Sequence, residues 1–113
     1  HAAGDRVIME VAAELKKAFR EMDIVGRIGG DEFMVFIRHV EDITVIREKA
    51  EHIAEAAAKS SWTVEGLPEI TISIGCSRYP ADGTTFTELY EKADKALYKT
   101  KRSGKNGFTV YEA

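Results

Sequence analysis

The 113-residue sequence has a single cysteine, Cys76. No disulfide can therefore close within the chain, and a reducing, cytoplasmic setting is expected. No apolar run approaches the length that spans a bilayer, and no basic-then-apolar leader opens the sequence. Basic residues are not in excess. The formal net charge is −3, which argues against a nucleic-acid binder, whose surface usually carries a basic face. The histidines His1, His39 and His52 lack metal-ligand spacing and are expected in solvent. Repeats, low-complexity tracts and linkers are missing as well. What is present is the composition of one ordinary globular domain, 44% hydrophobic and 31% charged, long enough for a single packed core. The first residue is His1 rather than Met, so a piece of a longer protein or a trimmed product is expected.

Hydrophobic spacing divides the chain into elements. Val7, Ile8, Val11, Ala12, Leu15, Ala18, Phe19 and Met22 recur at helical spacing and predict a helix over 5–21. Two short apolar runs, 24–28 and 33–38, read as the strands of a hairpin. Ile43, Ile46, Ala50, Ile53, Ala54 and Ala57 mark one face of a second helix over 43–59. A connection follows, with room for a short strand at 62–64; Trp62 is expected in a satellite core. Ile70, Ile72, Ile74 and Cys76 alternate with Thr71, Ser73 and Gly75, which predicts a half-buried strand and a buried, unreactive thiol. Pro80-Ala81-Asp82-Gly83 is a turn. Thr85 and Glu88 can form a capping box for a third helix, with Phe86, Leu89, Ala93, Ala96 and Leu97 as its buried face and Gly104 as its end. Residues 108–111 complete the set as a strand. The order predicts an α/β or α+β layer structure, helices packed on a sheet.

The residues that can carry chemistry sit mainly in Gly29-Gly30-Asp31-Glu32-Phe33. An apolar run, Gly-Gly and another apolar run signal a β-hairpin. The glycines permit positive φ and let a ligand approach the backbone. Asp31 and Glu32 then project from a rigid turn, which suits holding a hard cation against a phosphate. A wet, acidic hairpin tip without any such role has the same composition. Other positions carry two readings as well. Asp5, just before the first helix, is a good N-cap. Lys101 and Lys105 lie where a helix dipole favours cations. Arg20 and Asp23 can form a surface ion pair worth little.

The motif and its flanks resemble the GGDEF family of diguanylate cyclases over nearly all of these residues. His1-Ala2-Ala3-Gly4-Asp5 is similar to the end of the family's Gly-His-x-x-Gly-Asp stretch. Arg20-Glu21-Met22-Asp23 lies five residues before Gly29, as does the family's Arg-x-x-Asp. Ser73-Ile74-Gly75 with Tyr79-Pro80-Ala81-Asp82-Gly83 resembles the strand and loop that follow. Ala93-Asp94-Lys95-Ala96-Leu97-Tyr98-Lys99-Thr100-Lys101 with Gly104-Lys105-Asn106 resembles the C-terminal helix and its exit.

The resemblance implies a palm-like sheet with flanking helices, similar to nucleotidyl cyclases, and a GGDEF domain over 1–113. It also implies that the first, central strand, with its metal-binding Asp and the Asn that reads guanine, precedes His1. A sheet without its middle strand leaves two exposed edges, so a strand supplied from elsewhere, pairing with another copy or a gap in the sheet is expected, and a fragment that alone makes no product. The implied reaction condenses two GTP to cyclic di-GMP and two pyrophosphates, with Mg²⁺ or Mn²⁺, between two facing copies of the domain. Asp31 resembles the metal-bridging acid, and Glu32 the acid that binds metal or deprotonates the hydroxyl. Gly29 and Gly30 let the nucleotide lie close. Asp5 would accept from the guanine edge, and Lys101 and Lys105 would hold the triphosphate. Lys105 stands where the family usually has Arg, which removes the bidentate fork. Arg20 and Asp23 resemble the product-inhibition site. Two rivals share these motifs: a silent module that receives cyclic di-GMP, and a GTP-binding regulatory domain. No membrane contact by the domain itself is implied, though an anchor ahead of His1 is compatible with it.

Overall fold

Phe33, Met34, Val35, Phe36 and Ile37 form an unbroken apolar run, the pattern of a strand covered on both faces. A computed structural model bears this out. It describes residues 9, 12, 13, 15–17, 19, 22–39, 42–58, 72–103 and 107–112, with backbone only at 50 and 52–58. Helical backbone at 9, 12, 13 and 15–17 falls within the predicted first helix. The elements after it are β1 (Ile24–Gly29), β2 (Glu32–Arg38), α1 (Ile43–Ala58), β3 (Ser73–Tyr79), α2 (Phe86–Arg102) and β4 (Gly107–Val110). The strands form one four-stranded sheet in the order β1-β2-β3-β4. β1 and β2 are antiparallel, while β2–β3 and β3–β4 are parallel.

Alternating side chains of β2 enter two cores. Phe33, Val35 and Ile37 pack with Ile74 and Cys76 of β3 and with Leu15, Phe19 and Ile46. Met34 and Phe36 face the other way, onto Leu89, Ala93 and Leu97 of α2. The two helical layers therefore lie on opposite faces of the sheet. Cys76 is fully buried, and burial pushes its thiol pKa up. The inert thiol is as expected.

Three expectations are corrected. β3 is not half-buried: Ser73, Gly75 and Ser77 are as covered as Ile74 and Cys76. Small residues on that face allow α2 to close on the strand. A Cβ at Gly75 would lie 2.2 Å from the Ala93 carbonyl oxygen and 2.6 Å from the Leu97 nitrogen. The Ser77 hydroxyl is satisfied by donating to the Leu89 carbonyl at 2.8 Å. The sheet also has no discontinuity among the described strands. β2 and β3 pair directly, from Glu32↔Ser73 to Arg38↔Tyr79, so the backbone groups at the expected gap are satisfied within this chain. Phe86 is 69% exposed rather than buried; its ring stands edge-on to Phe36 at 5.7 Å.

The third helix otherwise follows its sequence. Thr85 is the N-cap, its hydroxyl accepting from the Glu88 N–H at 3.2 Å. Glu88 reaches back to the Thr84 N–H at 3.2 Å. Leu89, Ala93, Ala96, Leu97 and Thr100 are buried. The C-cap is Ser103; Gly104 lies outside the described residues, as do Trp62 and the possible strand at 62–64. In α1, Ile46 is buried and Ile43 half-buried, whereas the side chains of Ala50, Ile53, Ala54 and Ala57 lie outside the description. His39 is exposed as expected. The side chains of His1 and His52 lie outside it.

Candidate functional site

The acidic turn is held from three sides. β1 ends at Gly29 and β2 begins at Glu32, so Gly30 and Asp31 form the tip. Gly30 has φ +54, a conformation that a side chain disfavours. The register shifts between Arg27 and Gly29, a bulge that re-aims the tip. Arg27 Nε donates to the Gly30 carbonyl at 2.9 Å. The Asp31 carbonyl accepts from the Ser73 N–H at 3.0 Å, which ties the tip to β3. A Cβ at Gly29 or Gly30 would meet nothing within 4 Å, so the surface over the turn is open to a ligand.

Glu32 and Lys101 meet at this turn. Lys101 Nζ lies 2.6 Å from Glu32 Oε1, and the two side chains are 43% and 26% exposed. The hydrogen bond and charge of Glu32 raise the lysine pKa above its ordinary value, with Asp94 and Asp31 adding to the effect. In parallel register Glu32 stands beside Ser73. The Ser73 side chain is buried, and its hydroxyl has no hydrogen-bond partner.

These donors fit a hard divalent cation of the Mg²⁺ type. Two adjacent carboxylates, half-buried and open to one side, supply part of an oxygen shell and leave the rest to water and phosphate. Among the described residues no group of three or more His, Cys, Asp or Glu could form a protein-only cage.

The remaining predicted residues separate. Asp23 precedes β1 at the other end of the hairpin, about 20 Å from the tip at the usual strand rise. It is 9% exposed, and its Oδ1 accepts from the Arg38 N–H at 3.1 Å. Asp5, Arg20 and Lys105 lie outside the described residues. An open groove of about 380 Å³ runs past β4, lined by residues that include Arg47, Lys99 and Glu112. It contains none of the predicted site residues. Sequence reasoning missed Arg27 and Ser73. An arginine three residues before a Gly-Gly turn is a weak local signal for the first. Nothing local points to the second, because its contact depends on parallel pairing across α1.

The family model described as "Diguanylate cyclase, GGDEF domain" matches residues 1–107. Diguanylate cyclase A of Treponema denticola is 38% identical over 97% of this chain, which covers 30% of that protein. The bifunctional diguanylate cyclase/cyclic di-GMP phosphodiesterase MucR of Pseudomonas aeruginosa is 36% identical over 100% of this chain, which covers 16% of it. The chain thus spans less than a third of each. A solved structure of TpbB (YfiN) from Pseudomonas aeruginosa, comprising only the GGDEF domain, is similar with a TM-score of 0.72 at 27% identity, over 99% of this chain and 66% of that one. With the family model covering nearly the whole sequence, the chain belongs to the diguanylate cyclase GGDEF domain family.

Proposed function

We propose that this chain works in a diguanylate cyclase, condensing two GTP to one cyclic di-GMP with release of two pyrophosphates. The observation that carries the reading is the intact acidic pair Asp31–Glu32 on an open glycine turn, with the Lys101 ammonium beside it. In each half-reaction a 3′-hydroxyl oxygen bonds to an α-phosphorus and the bond to pyrophosphate breaks. The protein's task in such a transfer is positioning and charge neutralisation.

Asp31 and Glu32 are the side chains that would hold Mg²⁺ or Mn²⁺. That ion, when bound, would offset phosphate charge and acidify the attacking hydroxyl. Gly29 and Gly30 let the phosphates approach the turn. Lys101 supplies a positive charge for the triphosphate, joined by Lys105. Asp5 would accept from the N1–H and amino group of guanine. A homodimer supplies the second GTP, since one turn serves one nucleotide, and a bacterial cytoplasm supplies the GTP. Arg20 and Asp23 would bind cyclic di-GMP as an inhibitor. That role asks Asp23 to accept a guanine edge in addition to the Arg38 N–H.

Asp31→Asn tests the reading. The amide keeps the shape and removes the charge. In the full-length protein that carries this domain, cyclic di-GMP formation should fall by at least about 100-fold, the order seen when one group that stabilises transition-state charge is removed. Circular dichroism and the unfolding midpoint should stay at parental values. A variant with most of the parental rate would show that Asp31 is not a metal ligand.

A further inference from the structure

We infer that Lys101 is a built-in competitor for the divalent cation at the acidic turn, so that the site takes its cation together with a phosphate chain rather than ahead of it. The inference rests on the reading of Asp31 and Glu32 as metal ligands.

Both partners are anchored by their backbones. Glu32 opens β2, in register with Gly29 on one side and Ser73 on the other. Lys101 sits in the last turn of α2. Next to it Thr100 is buried, with its hydroxyl 3.0 Å from the Ile74 carbonyl. The lysine stem is therefore rooted over the acidic turn, while its ammonium, on a 43% exposed side chain, is free to change partner. That ammonium lies 2.6 Å from Glu32 Oε1, and Asp31 and Asp94 add negative charge around it.

A cation arriving alone must take Glu32 from this ammonium, and the two positive charges then repel across one carboxylate. A triphosphate removes the conflict. It offers Lys101 another anion, and Glu32 is released to the metal. Metal and phosphate therefore bind with positive coupling. By linkage the coupling is reciprocal.

The test is Mn²⁺ binding followed by electron paramagnetic resonance on the purified protein, with and without a non-hydrolysable GTP analogue. Lys101→Met keeps the stem and removes the charge. It should bind Mn²⁺ alone about 5- to 10-fold more tightly than the parent, at the lower end of usual coupling factors. The gain in Mn²⁺ affinity from the analogue should shrink by the same factor. Lys101→Arg, which keeps the charge, should retain the weaker parental affinity for Mn²⁺ alone. Unchanged or weaker Mn²⁺ binding by Lys101→Met overturns the inference. Asp31→Asn separates the two levels. If it loses Mn²⁺ while Lys101→Met equals the parent, the metal site stands and the competition does not. Mn²⁺ binding that is absent, or that Asp31→Asn leaves unchanged, overturns the metal site itself.

Discussion

Glu88 holds the entrance of α2 with one carboxylate. Its Oε1 accepts from the Thr84 N–H at 3.2 Å and from the Thr85 hydroxyl at 3.1 Å. These bonds, the Thr84 N–H first, hold its pKa below the usual glutamate value. A carboxyl depressed in the folded state adds stability above its unfolded pKa, and that stability is lost as pH falls through the folded value. Glu88→Ala should therefore unfold at lower urea than the parent at neutral pH. The difference should narrow in acid, below the depressed pKa. A difference that stays constant across that range would mean that packing, not charge, holds the cap. Residue by residue, the acidic turn was legible because Gly-Gly between apolar runs admits few backbone solutions. The pairing of Glu32 with Lys101 was not. Which carboxylate a helix-end lysine meets depends on where the helix lands, and a sequence lists only the helix.

Among the elements, β3 and α2 show why small residues mislead. Alternation of isoleucine with Thr, Ser and Gly reads as one face in the core and one in water. In the fold the Ser-Gly-Ser face is where a helix lies closest. Gly75→Ala places a methyl group against the backbone of α2 at Ala93 and Leu97, atoms that cannot rotate away. The strand or the helix must shift, so the variant should lose about 3 kcal/mol, the upper range for overpacking. Urea unfolding would read this as a lower midpoint at unchanged slope; a midpoint within experimental error of the parent would mean that α2 is less tightly seated than described. The opposite error concerns Phe86, an apolar residue at helical spacing with Leu89 and Ala93. Spacing placed it on the inner face, but it lies in the helix's first turn, beyond the edge of the sheet's cover, where its ring meets Phe36 edge-on and Tyr90 at a tilt. Helix and strand types followed from periodicity; their tertiary neighbours did not.

At the scale of the whole molecule, the sheet sorts the chemistry to one end. Glu32, Ser73 and Gly107 stand side by side in register across β2, β3 and β4, and the last turn of α2 brings Lys101 onto the same end. Asp23, Arg38 and Tyr79 occupy the opposite end. The acidic turn and Asp23 thus lie about a strand length apart. The layer architecture was legible in the element order. The direct pairing of β2 with β3 was not, because the resemblance implied a strand between them. The proposed role of the open, doubly acidic turn is condensation of two nucleotides. The most direct measurement is chromatographic product analysis of the purified full-length protein that carries this domain, with GTP and Mg²⁺, together with a pyrophosphate assay. Cyclic di-GMP should be the nucleotide product, with two pyrophosphates released per molecule formed. Intact GTP after prolonged incubation, or conversion to GDP and inorganic phosphate, would contradict it.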